Sequence, residues 1–152
     1  MVPLTRSDTV GIALAPGVGV GFAHGDDRWS VATADPVALI AEAATADAPR
    51  WVWWGRETSD LLAGLPIDRC WDVATVHRFL HGTWKAPISV IWAVLQGLDP
   101  DSLPTMGQLD LLDAPVDEGD RDLPIRPDGH LRPEWIAGAF AETPDRLATW
   151  AG

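Results

Sequence analysis

Thr9 to Ala15 (TVGIALA) is an apolar, β-compatible run, and Val18 to His24 (VGVGFAH) reads as a strand returning beside it. Pro16 and Gly17 between the two runs predict a hairpin. After the turn formers Gly25, Asp26 and Asp27, a third short strand is expected over Trp29 to Thr33. Asp35 before Pro36 marks a helix start: the carboxylate can accept backbone N–H groups that lack a partner, and proline in the first helical position gives up no hydrogen bond. The helix Pro36 to Ala46 follows, with Val37, Ile40, Ala41 and Ala44 on one face.

Arg50 to Trp54 (RWVWW) is bulky on both faces, as a central strand between layers requires. A short helix is expected over Thr58 to Leu62, ending near Gly64. Cys70 to Val73 supplies a further strand, and Asp72 stands where it can cap a helix from Val73 to Leu80 that stops at Gly82. The next helix, Ile88 to Gln96, places Ile88, Ile91, Trp92 and Leu95 on one stripe. Between Leu98 and Arg132 the character changes. Nine acidic residues and five prolines exclude a continuous core element and predict a long acidic loop. Helical signals return at Pro133 and at Thr143-Pro144.

This order predicts an α/β fold: a mixed sheet with helices on its faces, RNase H-like in layout. The chain divides into a core at 1–97, the acidic loop at 98–132 and C-terminal helices at 133–152 that pack back on the core. No internal repeat or heptad pattern is present. At 152 residues and 47% hydrophobic, one ordinary core is expected.

Composition narrows the partners. With 22 acidic residues against 11 basic ones, the formal charge of −11 repels phosphate backbones and anionic lipids, so DNA is expected to be engaged weakly or through partners. No stretch of 18 apolar residues occurs and the start lacks a signal-peptide layout, so a soluble, cytoplasmic protein without a membrane partner is expected. The single cysteine, Cys70, forms no internal disulfide and suits a reducing compartment.

Inside the acidic loop lies Gln108-Leu109-Asp110-Leu111-Leu112. It resembles the bacterial sliding-clamp-binding motif. In an extended peptide, Gln108 would exchange hydrogen bonds through its amide while Leu109, Leu111 and Leu112 fill a preformed apolar cleft, with Asp110 between them.

A second resemblance covers most of the chain. RWVWWGRETSDLLAGLPIDRCWDVATVHRFLHG, from Arg50 to Gly82, is similar to the proofreading exonuclease region of family A DNA polymerases. TVGIALAPGVGVGFAHG resembles the hairpin of that domain, and GHLRPEWIAGAF resembles the actinobacterial exonuclease/polymerase proteins. The resemblance implies an RNase H-like fold and a polymerase domain as partner, in cis or in trans. In active members it also implies 3′ to 5′ exonuclease chemistry, in which clustered carboxylates hold two divalent metals.

This sequence departs from the family at the carboxylates. Active members carry Asp-x-Glu on the first strand, whereas Thr9 to Ala15 holds no acid and Asp8 precedes it alone. Thr58 stands where the next aspartate belongs, flanked by Glu57 and Asp60. The final Tyr-x-x-x-Asp has no counterpart, because the chain has no tyrosine. Asp145 is the nearest late candidate, and a helix-start role explains it equally well. Asp72 reads as a helix cap. The expectation is an inactive exonuclease-like domain that needs no cofactor. The alternatives are an active exonuclease using Mg or Mn at Glu57, Asp60 and Asp145, and an acidic interaction module unrelated to replication.

Other patterns have plainer readings. Cys70, His77 and His81 have ligand-like spacing but lack a fourth ligand nearby, so no metal is placed there. Trp51, Trp53 and Trp54 read as core rather than a base-stacking platform, which would need a basic groove. Arg50, Arg56, Arg69 and Arg78 make the one modest basic cluster. Gly17 to Gly21 reads as a turn between strands.

Overall fold

The expected hairpin forms as β1 (Thr9–Ala15) and β2 (Gly19–His24), antiparallel with Ile12 opposite Phe22 and Ala13 opposite Gly21. The computed structural model describes residues 5–44, 49–100 and 120–152. Strand β3 (Asp27–Ala32) continues the meander, starting two residues earlier than its apolar pattern suggests because His24 pairs with Asp27 across the tight turn. A crossover through α1 (Pro36–Ala44) then brings β4 (Arg50–Trp53) parallel to the far side of β1. Asp35 begins α1 as its position predicts, with Oδ1 accepting from the Ala38 N–H at 2.9 Å.

Strand β4 leads through Gly55 into α2 (Arg56–Leu61), and β5 (Cys70–Asp72) pairs parallel with β4. The sheet order is β3-β2-β1-β4-β5, and β2 alone runs against the others. Helices α3 (Val73–His81) and α4 (Ile88–Gln96) follow. After residue 119 come α5 (Pro133–Ile136), a 3₁₀ turn (Ala139–Ala141) and α6 (Pro144–Ala151). The fold is therefore mixed α/β with a five-stranded sheet.

Alternation along β1 gives the sheet two unlike faces. Val10, Ile12 and Leu14 join Val20 and Phe22 on one face, packed with Ile40 of α1 and with Trp51 and Trp53 of β4. The opposite face carries Gly11, Ala13 and Ala15 of β1 beside Gly21 of β2, and α6 lies against it through Leu147 and Trp150. The glycines set how close that helix comes. A Cβ on Gly21 would fall inside the Leu147 carbonyl group, and one on Gly11 would strike the Ala151 carbonyl. The helix backbone thus rests directly on the strands.

Residues 120–132, the end of the acidic stretch, are built into this second layer. Their one regular pairing is the bridge between Ile125 and Leu131. Side chains supply the ties. Trp92 Nε1 donates to the Gly129 carbonyl at 2.8 Å, Trp135 Nε1 to the Arg121 carbonyl at 3.1 Å, and Arg132 Nε to the Leu123 carbonyl at 2.9 Å. Leu131 is buried among the aromatic rings of that layer. Arg146 of α6 completes it, bonding Asp122 at 2.7 Å while its guanidinium lies 5.4 Å from the centre of the Trp135 ring. Among the described residues, no helix is long and apolar enough to cross a membrane.

Candidate functional site: an aromatic cleft at the strand ends

Where β4 gives way to α2, three polar side chains make a chain of hydrogen bonds. Trp53 Nε1 donates to Ser59 Oγ at 2.8 Å, Ser59 Oγ donates to Asp72 Oδ2 at 2.9 Å, and Asp72 Oδ1 accepts from the Thr75 N–H at 2.8 Å. Asp72 therefore starts α3 and ties β5 to α2, whose Ser59 is joined to β4 by Trp53. It is the cap its place in the sequence predicts, with both carboxylate oxygens in use.

Beside this network, a cleft of about 440 Å³ opens at the carboxyl ends of the parallel strands β1 and β4. Open α/β sheets offer ligand sites at that end, because the chain must leave the strands there in different directions. Trp54, Phe140 and Trp150 give the cleft an aromatic wall, and Ile88 an aliphatic one. Trp150 is the hub: its ring stacks on Phe140 at 5.3 Å and meets Trp54 at 5.9 Å and Trp135 at 6.1 Å. Arg56 and Arg78 bring positive charge to the rim, and among the described residues Glu57 is the one carboxylate. Arg78 is steadied by a 2.8 Å bond to Thr75 Oγ1. Chemically the cleft accepts a largely apolar group and favours an anionic neighbour.

The acids singled out in the sequence are not gathered here. Glu57 and Thr58 line the cleft, but Asp60 forms an exposed ion pair with Arg56 at 3.2 Å. Asp145 sits in the first turn of α6 and accepts from Ser30 Oγ of β3 at 3.2 Å. Strands β3 and β4 are separated by β2 and β1, three spacings of about 4.8 Å, so Asp145 lies on a different part of the sheet from α2. Asp8 is turned to Thr5, whose backbone N–H donates to it at 2.7 Å; that bond, with the Thr5 hydroxyl and nearby His24, lowers its pKa. Among the described residues no three His, Cys, Asp or Glu side chains cluster as metal ligands would.

Cys70 is exposed on the edge strand, and partial desolvation there, with the charge of Asp72, raises its pKa, which keeps the thiol protonated. Trp51 and Trp53 are buried in the core and offer no face for stacking, while Trp54 turns to the cleft. Gln108 to Leu112 lie outside the described residues. The part of the site that pattern reading did not single out is the pairing of Trp150 with Trp54 across the layers. Its only signal was a tryptophan on the last helix.

His77 is buried on α3, and its ring lies 4.3 Å from that of His81. Burial, with the neighbouring imidazole, pushes its pKa below the ordinary value, so the folded protein holds it neutral. The unfolded chain takes up a proton there near pH 6.5 and the folded one at lower pH. Its contribution to stability is therefore complete above about pH 6.5 and declines as the pH falls through that value. Thermal unfolding between pH 5.5 and 7.5 should show a loss on the acid side that is smaller in His77→Gln. Equal slopes in parent and variant would remove His77 as the source.

No known family, curated protein or solved structure matches the chain.

Proposed function

We propose that this chain is a catalytically inactive, RNase H-like domain of the 3′ to 5′ exonuclease type found in family A DNA polymerases. In this reading it is a scaffold for a polymerase domain, in cis or in trans, and recruits it to the DNA sliding clamp through Gln108 to Leu112. The strand order β3-β2-β1-β4-β5 with β2 alone reversed supports the RNase H-like layout.

The observation that carries the inactive part is the second face of β1. Two carboxylates at alternate positions of that face would have to stand at Thr9 and Gly11, at Gly11 and Ala13, or at Ala13 and Ala15. Gly11 has no room for even a Cβ beneath Ala151, and Ala13 and Ala15 are buried under the second layer. The metal pair of the active enzymes thus does not fit the residues present: the acids are absent and the last helix occupies their space. What remains at the strand ends is aromatic and cationic.

The tether has its own test, calorimetry of the 152-residue chain with the sliding clamp of its host. Saturable binding is expected, and Gln108→Ala and Leu111→Ala should each weaken it about tenfold or more, equivalent to roughly 1.4 kcal/mol. No binding by the parent chain, or binding that both variants leave unchanged, would remove the clamp from the proposal.

A further inference from the structure

We infer that α3, the connection through residues 82–87 and the outer side of α4 form a docking surface for an acidic amphipathic segment of a partner protein. Phe79 is 86% exposed, Leu80 75%, Trp84 95% and Leu95 64%. Three of them fall within six residues, and the fourth is on α4, which packs against α3. Side chains of this size expose apolar surface on the order of 600 Å². That is at the upper end for the largest patch of a monomer and close to one partner's share of an ordinary interface.

Charge selects the occupant. Residues 73–98 contain Arg78 and Lys85 and no acid, within a chain of net charge −11. Asp72, at the boundary, is taken up by the cap and by Ser59. A second copy seated symmetrically here would bring Arg78 and Lys85 against their own counterparts, which like-charge repulsion opposes. An anionic membrane would meet two fixed cations on a protein that it repels overall. An acidic helix with apolar anchors on one side satisfies both features, burying Phe79, Leu80 and Trp84 and pairing its carboxylates with Arg78 and Lys85. Arg78 and Ala86 also line the cleft, so the surface runs continuously to its rim. The inference holds whether or not Gln108 to Leu112 engage a clamp.

The probe is a fluorescein-labelled synthetic 18-residue helix with leucine and phenylalanine at helical spacing and glutamate elsewhere, titrated with the 152-residue chain. Saturable binding is expected. It should weaken at least tenfold in Phe79→Ser, Trp84→Ser and Lys85→Glu, weaken with added salt, and be lost when lysine replaces glutamate in the peptide. These positions are exposed, so circular dichroism should show all three variants folded. Absence of binding, or equal binding by the variants, would overturn the inference. So would sedimentation showing that the parent self-associates through Trp84, or Trp84-dependent capture by phosphatidylserine vesicles at lower concentration than by the peptide.

Discussion

Gly21→Val is expected to destabilise the chain by about 3 kcal/mol or more, a large share of the roughly 5–15 kcal/mol that keeps a domain folded. Gly21 lies at the centre of β2, opposite Ala13, and its missing side chain is what admits the backbone of α6 at Leu147. A colliding side chain can turn to another rotamer, but the Leu147 carbonyl and the Ala148 nitrogen are fixed in the helix. The strand and the helix must then part, and the layer holding Trp135, Leu147 and Trp150 opens with them. Gly21 is not among the glycines of positive φ, so the effect comes from space and not from backbone strain. Even Gly21→Ala should show it in urea unfolding. A loss below about 0.5 kcal/mol for valine, the range of ordinary surface changes, would mean that α6 does not rest on the strand.

Trp150→Ala should cost about 3–5 kcal/mol, the range for removing a large buried aromatic ring. Trp150 is buried and touches Phe140, Trp54 and Trp135, so its loss empties the joint between the cleft wall and the second layer and also forfeits the ring contacts. Trp84→Ala is the control, since that side chain is almost wholly exposed and its removal should change stability by no more than about 0.5 kcal/mol. The two tryptophans separate a residue that holds the fold from one available to a partner. Comparable losses at both positions would contradict that division.

Much of the fold was legible because local chemistry and tertiary packing agree. Asp35-Pro36 and Asp72 mark helix starts by hydrogen bonds a single residue can make, and Ile88 to Gln96 forms over the range its periodicity gives. The hairpin could be read from Pro16 and Gly17. Less was legible in residues 120–132, where proline and acid content gave no sign of the ties made by Trp92, Trp135 and Arg146. Those bonds run between side chains and segments far apart in the chain, which no periodicity records. The same limit applies to the cleft. RWVWW was readable as a core strand, yet which tryptophan turns to the cleft depends on the faces set by β1 pairing with β4. The small face of β1 was visible as an absence of acid; only the packing of α6 shows that the space itself is filled.

A nuclease assay bears most directly on the proposed loss of catalysis. The 152-residue chain is incubated with a 5′-labelled single-stranded oligonucleotide in magnesium and then in manganese, with Asp60→Asn alongside. No shortening from the 3′ end beyond the protein-free control is expected from either protein. Metal-dependent shortening by the parent, abolished by Asp60→Asn, would contradict the reading of this domain as an inactive scaffold.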